Sequence, residues 1–411
     1  MSKKTEREFD LIVYGAASFV GRLLTRYLVE RHGVDGDLKW ALAGRNQAKL
    51  DAVAAEFEAQ ALPTIIADAA DAPALQKMAA RAKVIVSTVG PYALFGSELV
   101  AACAEQGTDY CDLTGEPQWM REMIDAHAEA AEKSGARIVH NCGFDSIPSD
   151  FGVWFLQQQA QADFDAVCGE VTLRVKAMRG GASGGTVASL LNVMKEIKGN
   201  PELRKLMQNP YAVCPPEARK GVRQANVAAP VFDEDAQSWL APFVMAGINT
   251  KVVHRSNALQ NHAWGQEFRY DEAMMLGGGA IGAAKAGAVS AGLGGFMALA
   301  LIGPSRSLLE KYVLPKPGEG PSPQEQENGF FDIRLYGKTA QGESLVVKVT
   351  GDRDPGYGST AKMLGEAAVC LAKDKKGTQS KGGFWTPSTA MGEPLLNRLT
   401  EFAGLGFERL R

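Results

Sequence analysis

The opening strand, turn and helix limit this chain's fold more than any other feature. Phe9-Asp10-Leu11-Ile12-Val13-Tyr14 is an apolar run of the kind a buried parallel strand needs, and it meets Gly15-Ala16-Ala17-Ser18-Phe19-Val20-Gly21. A helical pattern follows at once. Gly15 permits the tight turn, and Gly21 lets the helix lie close to the strand. The unbonded N–H groups and positive dipole end of such a helix suit a dinucleotide pyrophosphate. The middle glycine of the usual G-x-x-G-x-x-G spacing is replaced by Ser18. An ordinary strand–turn–helix of some other α/β protein would have the same outline.

The next strand ends favour the nucleotide reading. Leu38 to Ala43 leads into Gly44-Arg45-Asn46. A fold selective for NAD places an acid near this point to grip the ribose 2′-hydroxyl. Here Arg45 stands instead, and its planar fork of donors suits a 2′-phosphate, so the expected cofactor is NADP(H). Asn46 can bond the same phosphate or cap the helix beginning near Gln47. Asp68, after Thr64-Ile65-Ile66-Ala67, can accept from an adenine amino group or serve as a loop acid. Val84 to Thr88 is a β-branched strand ending in Val89-Gly90-Pro91-Tyr92, on the sheet edge where open α/β folds bind ligands.

A chain of 411 residues is long enough for two or three domains with substantial cores. Its net charge of −3, with no long basic run, argues against nucleic acid as a partner. The six cysteines form no C-x-x-C pair and the five histidines no H-E-x-x-H pattern, so neither a disulfide framework nor a metal site is expected. No G-x-S-x-G is present, which argues against an α/β-hydrolase. Reduced cysteines and a polar start without a secretory signal fit the cytoplasm.

Strand and helix patterns alternate to about residue 145, as a Rossmann-type parallel sheet requires. Period-two segments then appear at Glu170–Lys176, Phe331–Tyr336 and Ser344–Val349, the mark of a half-buried antiparallel sheet. This predicts an α/β cofactor domain over 1–151 and an inserted α+β substrate or dimerisation domain with a mixed or antiparallel sheet over 152–352. Terminal helices over 353–411 are expected to return to the first domain. A helix is expected near Thr186–Ile197, a linker at Pro315–Pro323, and irregular structure over about 200–265. Residues 274–304 are mostly Gly and Ala, with Lys285 their only charge. They can form a tightly packed core or dimer helix, line a tunnel for an apolar substrate, or dock on a lipid surface.

Val13-Tyr14-Gly15-Ala16-Ala17-Ser18-Phe19-Val20-Gly21, Ala43-Gly44-Arg45-Asn46 and Val89-Gly90-Pro91-Tyr92 resemble the saccharopine dehydrogenase superfamily. Gly143-Phe144-Asp145-Ser146-Ile147-Pro148-Ser149-Asp150 narrows the resemblance to the saccharopine dehydrogenase-like oxidoreductases, which include trans-acting enoyl reductases. Pro317–Ser322, Asp354–Met363 and Thr386–Gly392 are similar to the same branch, so the resemblance spans nearly the whole chain. It implies NADP(H)-dependent reduction of an activated C=C, an enoyl thioester or polyketide-type lipid intermediate held on a synthase. Ser18 is the main departure, and its hydroxyl can bond the phosphate its Cβ would otherwise crowd.

Reducing an enoyl thioester needs a donor for the charge developing on the thioester oxygen and a proton for the α-carbon. Tyr92, Asp145, Ser146, Tyr357 and Lys362 are the candidates. Gly15, Ala16, Ala17, Ser18, Phe19, Val20, Gly21, Arg45, Asn46, Asp68, Val89, Gly90, Pro91 and Tyr92 are the expected cofactor contacts. A short-chain reductase would need Tyr and Lys four apart on one helix. The one such pair, Tyr312 and Lys316, is interrupted by Pro315. The alternative of another class is a lipid- or membrane-associated scaffold, peripheral at a membrane through 274–304, that keeps the cofactor fold without turnover. A homodimer paired through the inserted sheet is also compatible with the pattern.

Overall fold

The computed structural model describes residues 7–181, 184–302, 320–374 and 376–411. Tyr312, Lys316 and most of the expected 315–323 linker lie outside the described residues. The chain forms two units, one of residues through Phe144 with Tyr357–Ala403, the other of Asp145–Gly356 with Gly404–Arg411. The boundaries read from sequence, 151/152 and 352/353, lie four to seven residues from these junctions. The closing segment, Gly404–Arg411, supplies a strand to the second unit.

The first unit opens with β1 (Phe9–Tyr14), α1 (Phe19–His32), β2 (Trp40–Gly44), α2 (Gln47–Glu56), β3 (Thr64–Ile66) and α3 (Ala72–Ala79). It continues with β4 (Ala82–Ser87), α4 (Tyr92–Phe95), α5 (Ser97–Gln106), β5 (Asp109–Asp112), α6 (Pro117–Ser134) and β6 (Arg137–Val139). Seven parallel strands run in the order Gly383–Trp385, β6, β5, β4, β1, β2, β3. Strand order reverses between β1 and β4, the switch point at which doubly wound sheets bind ligands. Every residue of β1 and β2 is buried, as a sheet covered on both faces demands. The returning helix Thr360–Lys373 packs against α1, where Tyr27 donates to the buried Glu366 at 2.6 Å. Arg398, on the last long helix Pro387–Glu401, pairs with the other oxygen of Glu366 at 2.9 Å.

The second unit contains α7 (Ile147–Phe164), β7 (Cys168–Arg179), α8 (Gly184–Ile197), α9 (Pro201–Gln208), β8 (Val231–Asp233) and β9 (Ser238–Pro242). After these come α10 (Ala246–Leu259), β10 (Arg269–Met275), α11 (Gly279–Leu301), β11 (Phe330–Thr339) and β12 (Ser344–Gly351). Its mixed sheet runs Leu405–Arg409, β12, β11, β7, β10, β9, β8, with β7 and β10 parallel and the other pairs antiparallel. The alternating burial of β11 is the observed counterpart of its period-two sequence.

Two expectations are corrected. Residues 200–265 are not irregular, because they hold α9, β8, β9 and α10. The core reading of the Gly/Ala stretch fails too. It forms α11, but only 11% of its most apolar part is buried, and Ile281 is 73% exposed.

Candidate active site

The first unit's site is built at the ends of β1 and β4. Gly15 turns with φ +86°, a conformation that a side chain disfavours, and a Cβ there would lie 2.6 Å from Val89 and 2.8 Å from Thr88 Oγ1. At Gly21 a Cβ would come within 2.1 Å of the Gly15 carbonyl oxygen. The two glycines therefore let α1 start directly above the β1 turn. Ala16 is buried behind that turn, and its N–H donates to the Ala43 carbonyl.

Ser18 caps the helix that follows the turn. Its Oγ accepts from Gly21 N at 2.9 Å, capping α1, and lies 2.9 Å from Thr88 Oγ1. Thr88 in turn donates to the Gly15 carbonyl at 3.0 Å. With Thr88 donating to that carbonyl, its oxygen can accept from the Ser18 hydroxyl. Among the described residues, no backbone acceptor meets the N–H of Ala17, Phe19 or Val20. Three unbonded donors around a turn with no room for a side chain fit a pyrophosphate.

Arg45 is exposed just beyond β2 and has no ion-pair partner among the described residues. A guanidinium left unpaired at this strand end fits the expected phosphate contact. Asn46 takes the capping role, its side chain accepting from Lys49 N at 3.0 Å. Asp68 is an exposed loop acid that accepts from Ala70 N at 2.9 Å. It has a second carboxylate oxygen for a base.

The Val89-Gly90-Pro91 turn follows β4, with a cis peptide at Gly90–Pro91. Tyr92 is corrected as a proton donor. Its ring is 4% exposed and packs on Trp119 at 5.5 Å, and its hydroxyl donates to the Ser87 carbonyl at 3.0 Å. Burial, then the nearby Asp112 charge, holds that phenol well above its ordinary range. The residue that shapes this turn is Glu116, which the sequence reading passed over. It is fully buried and accepts from Tyr92 N at 2.8 Å and Ala93 N at 3.0 Å.

Tyr357 is brought to the first residue of α1, beyond the β1 turn. Its ring meets Phe19 edge-on, with centroids 5.3 Å apart. Lys362 lies within Thr360–Lys373, half-buried. Thr360 Oγ1 accepts from Phe144 N at 3.0 Å, and Gly143 lies against its side chain, so Gly143-Phe144 is held by the returning helix.

Asp145 and Ser146 belong to the second unit, at the start of α7. Burial pushes the Asp145 carboxyl up to about 7, and the Glu272 carboxylate adds to the shift. Ser146 Oγ is buried with no hydrogen-bond partner among the described residues. Glu272 accepts from Tyr270 at 2.7 Å and Asn249 at 2.9 Å, and burial raises it too. No group of His, Cys, Asp and Glu among the described residues could hold a metal ion.

A family model for the saccharopine dehydrogenase NADP binding domain matches residues 11–139. A Mycobacterium tuberculosis protein provisionally named a trans-acting enoyl reductase is 42% identical over 421 residues, covering 99% of both chains. The trans-acting enoyl reductase of Mycobacterium ulcerans is 39% identical over 413 residues, covering 96% of each. Among solved structures, apo saccharopine dehydrogenase (L-Glu forming) from Saccharomyces cerevisiae superposes with a TM-score of 0.53 at 13% identity. It covers 98% of this chain and 99% of its own, a likeness of fold alone.

Proposed function

This chain belongs to the saccharopine dehydrogenase-like family, in the branch of the trans-acting enoyl reductases, and we propose that it reduces an enoyl thioester with NADPH. The observation that carries the reading is the Gly15–Gly21 turn with three unbonded N–H groups and the unpaired Arg45 beside it. Bound NADPH would supply the hydride. The N–H groups of Ala17, Phe19 and Val20 would hold its pyrophosphate, and Arg45 would select the 2′-phosphate. Asp68 would accept from the adenine, while Val89 and Gly90 leave open the sheet edge beside the turn. The acyl substrate is most simply carrier-bound, because the Mycobacterium ulcerans relative is named as acting in trans.

Asp145 is the candidate suited to proton delivery, since burial lets its carboxyl hold a proton near neutral pH. Its protonated form is lost as pH rises through about 7, so kcat falls over that interval. Asp145→Asn is expected to lower kcat by roughly 10²- to 10⁴-fold and to remove that limb of the pH profile. The check is NADPH oxidation followed against an enoyl thioester between pH 5 and 9. Full activity with an unchanged profile in the variant would remove Asp145 from the mechanism. Tyr357 and Lys362 are the alternatives on the first unit.

The exposure of α11 supports a second role, association with a lipid surface. The helix is apolar around its whole circumference and has one charge, Lys285, whereas a helix covered by one protein partner needs only an apolar stripe. The full chain is expected to float with phospholipid vesicles, and Ile281→Lys with Leu299→Lys to abolish flotation. A vesicle-free protein that elutes as a dimer, and as a monomer after those substitutions, would assign the helix to a second copy. Flotation without NADPH binding would favour the scaffold alternative.

A further inference from the structure

The second unit holds a cleft of about 920 Å³, formed by Met207–Tyr211, Arg219–Asn226, the first turns of α10 and Tyr270–Glu272 of β10. Its charge is one-sided. Arg219, Lys220, Arg223 and Lys251 line it, against the carboxylates of Asp271 and Glu272. Both carboxylates are already engaged. Asp271 accepts from Arg174 at 2.5 Å, and Glu272 from Tyr270 and Asn249.

Lys251 is the residue that needs explaining. It is 3% exposed, and its ammonium donates to the Met207 and Gly247 carbonyls, both at 2.8 Å. An ammonium has three donors, so one remains, and no carboxylate pairs with it among the described residues. A buried cation held only by carbonyl dipoles is costly, and a bound anion would offset that cost. Burial draws the lysine down to about 8, which leaves it charged at neutral pH. Lys220 and Arg223 are exposed on the same walls, so cations stand both at the surface and in the interior of the cleft. Several cations lining one cleft, two of them planar guanidinium groups, suit a phosphate better than a single carboxylate. The volume is that of an organic ligand and far exceeds a bare phosphate.

We propose that this cleft binds a phosphate ester, with Lys251, Lys220 and Arg223 meeting the phosphate and Asn209, Asn226 and Thr250 facing the rest of the molecule. On a carrier-bound acyl substrate that group is the phosphopantetheine linkage, a source that rests on the proposed function. A free phosphorylated metabolite offers the same chemistry.

The test is calorimetric titration of the full chain, with saturating NADP+ present, using 4′-phosphopantetheine, pantetheine, ethyl phosphate and inorganic phosphate. Phosphopantetheine is expected to bind at least roughly tenfold more tightly than pantetheine. Lys220→Ala with Arg223→Ala, both on exposed side chains, is expected to weaken it by a similar factor, as is Lys251→Met. NADP+ affinity, measured separately, should be unchanged in these variants. A clear preference for phosphopantetheine over ethyl phosphate assigns the carrier arm, and equal binding assigns a free ester; both uphold the site. It is overturned if no phosphate compound binds, if pantetheine binds equally well, or if the variants bind phosphopantetheine like the parent. It is also overturned if they lose NADP+ in parallel. Because NADP+ binding is read independently, failure of the nucleotide reading would show as absent NADP+ heat with the phosphate titration intact.

Discussion

Gly21→Ala is expected to remove NADPH binding and to destabilise the first unit by about 2–3 kcal/mol. The added methyl would sit 2.1 Å from the Gly15 carbonyl oxygen and 2.9 Å from Ala16 backbone atoms. Those neighbours are backbone, with no flexible side-chain end that could move aside. Helix α1 must therefore shift away from the β1 turn, carrying with it the N–H groups of Phe19 and Val20. The Ser18 cap on Gly21 N would be disturbed by the same movement. Fluorescence titration with NADPH and thermal unfolding read the two consequences separately. Parent-like affinity in a folded Gly21→Ala protein would mean that the close approach of helix to strand does not form the cofactor site.

Glu116→Ala should have the largest effect on stability. The carboxylate is fully buried and is the acceptor for two consecutive backbone amides, Tyr92 and Ala93, at the start of α4. Each buried amide left without an acceptor costs about 1–3 kcal/mol, so a loss near 3 kcal/mol or more is expected. For a unit of this size that corresponds to about 6–12 °C in Tm. Functionally, the Val89–Pro91 turn would lose its anchor and NADPH affinity would fall with it. Glu116→Gln keeps one acceptor and should lie between parent and alanine. Thermal unfolding with and without NADPH is the check, and a shift below 1 °C in Glu116→Ala would contradict the anchoring role.

The parts of the fold legible in sequence were those whose burial is simple. Strands β1, β2 and β4 lie in a sheet buried on both faces, so they read as apolar runs, interrupted near the strand starts by Asp10 and Lys83. Strands β11 and β12 show period two because one face is more exposed. Helix α10 and strand β10 were invisible for the opposite reason. Asn249, Lys251, His254, Arg255, Ser256 and Asn257 are all buried on α10, where Asn249 donates to Glu272 and Ser256 to Asp150. A polar core network of this kind erases the amphipathic pattern from which helices are read. Helix α9 is only eight residues long and buries none of them, so its Leu203, Leu206 and Met207 give too short a pattern to stand out.

The site divides in the same way. The proposed roles of Gly15, Gly21 and Arg45 were legible because each follows from a local property, backbone freedom or fixed charge. Thr88 and Glu116 were not, because their partners Ser18 and Tyr92 stand far off in the chain and meet them only once the sheet has formed. Tyr92 misled for the same reason. Its place after β4 suggested a ligand contact, but the turn directs its ring inward onto Trp119.

The most direct measurement is calorimetry of the purified chain with NADPH and NADH, repeated on Arg45→Ala. The parent should bind NADPH in preference to NADH, and the substitution should cost NADPH about ten- to a hundredfold while sparing NADH, the loss of one charge-assisted phosphate contact. Equal affinity for the two cofactors in the parent, or a preference that survives in Arg45→Ala, would contradict the assignment of the β2 arginine. Absence of heat with either nucleotide in folded protein would contradict the reductase itself.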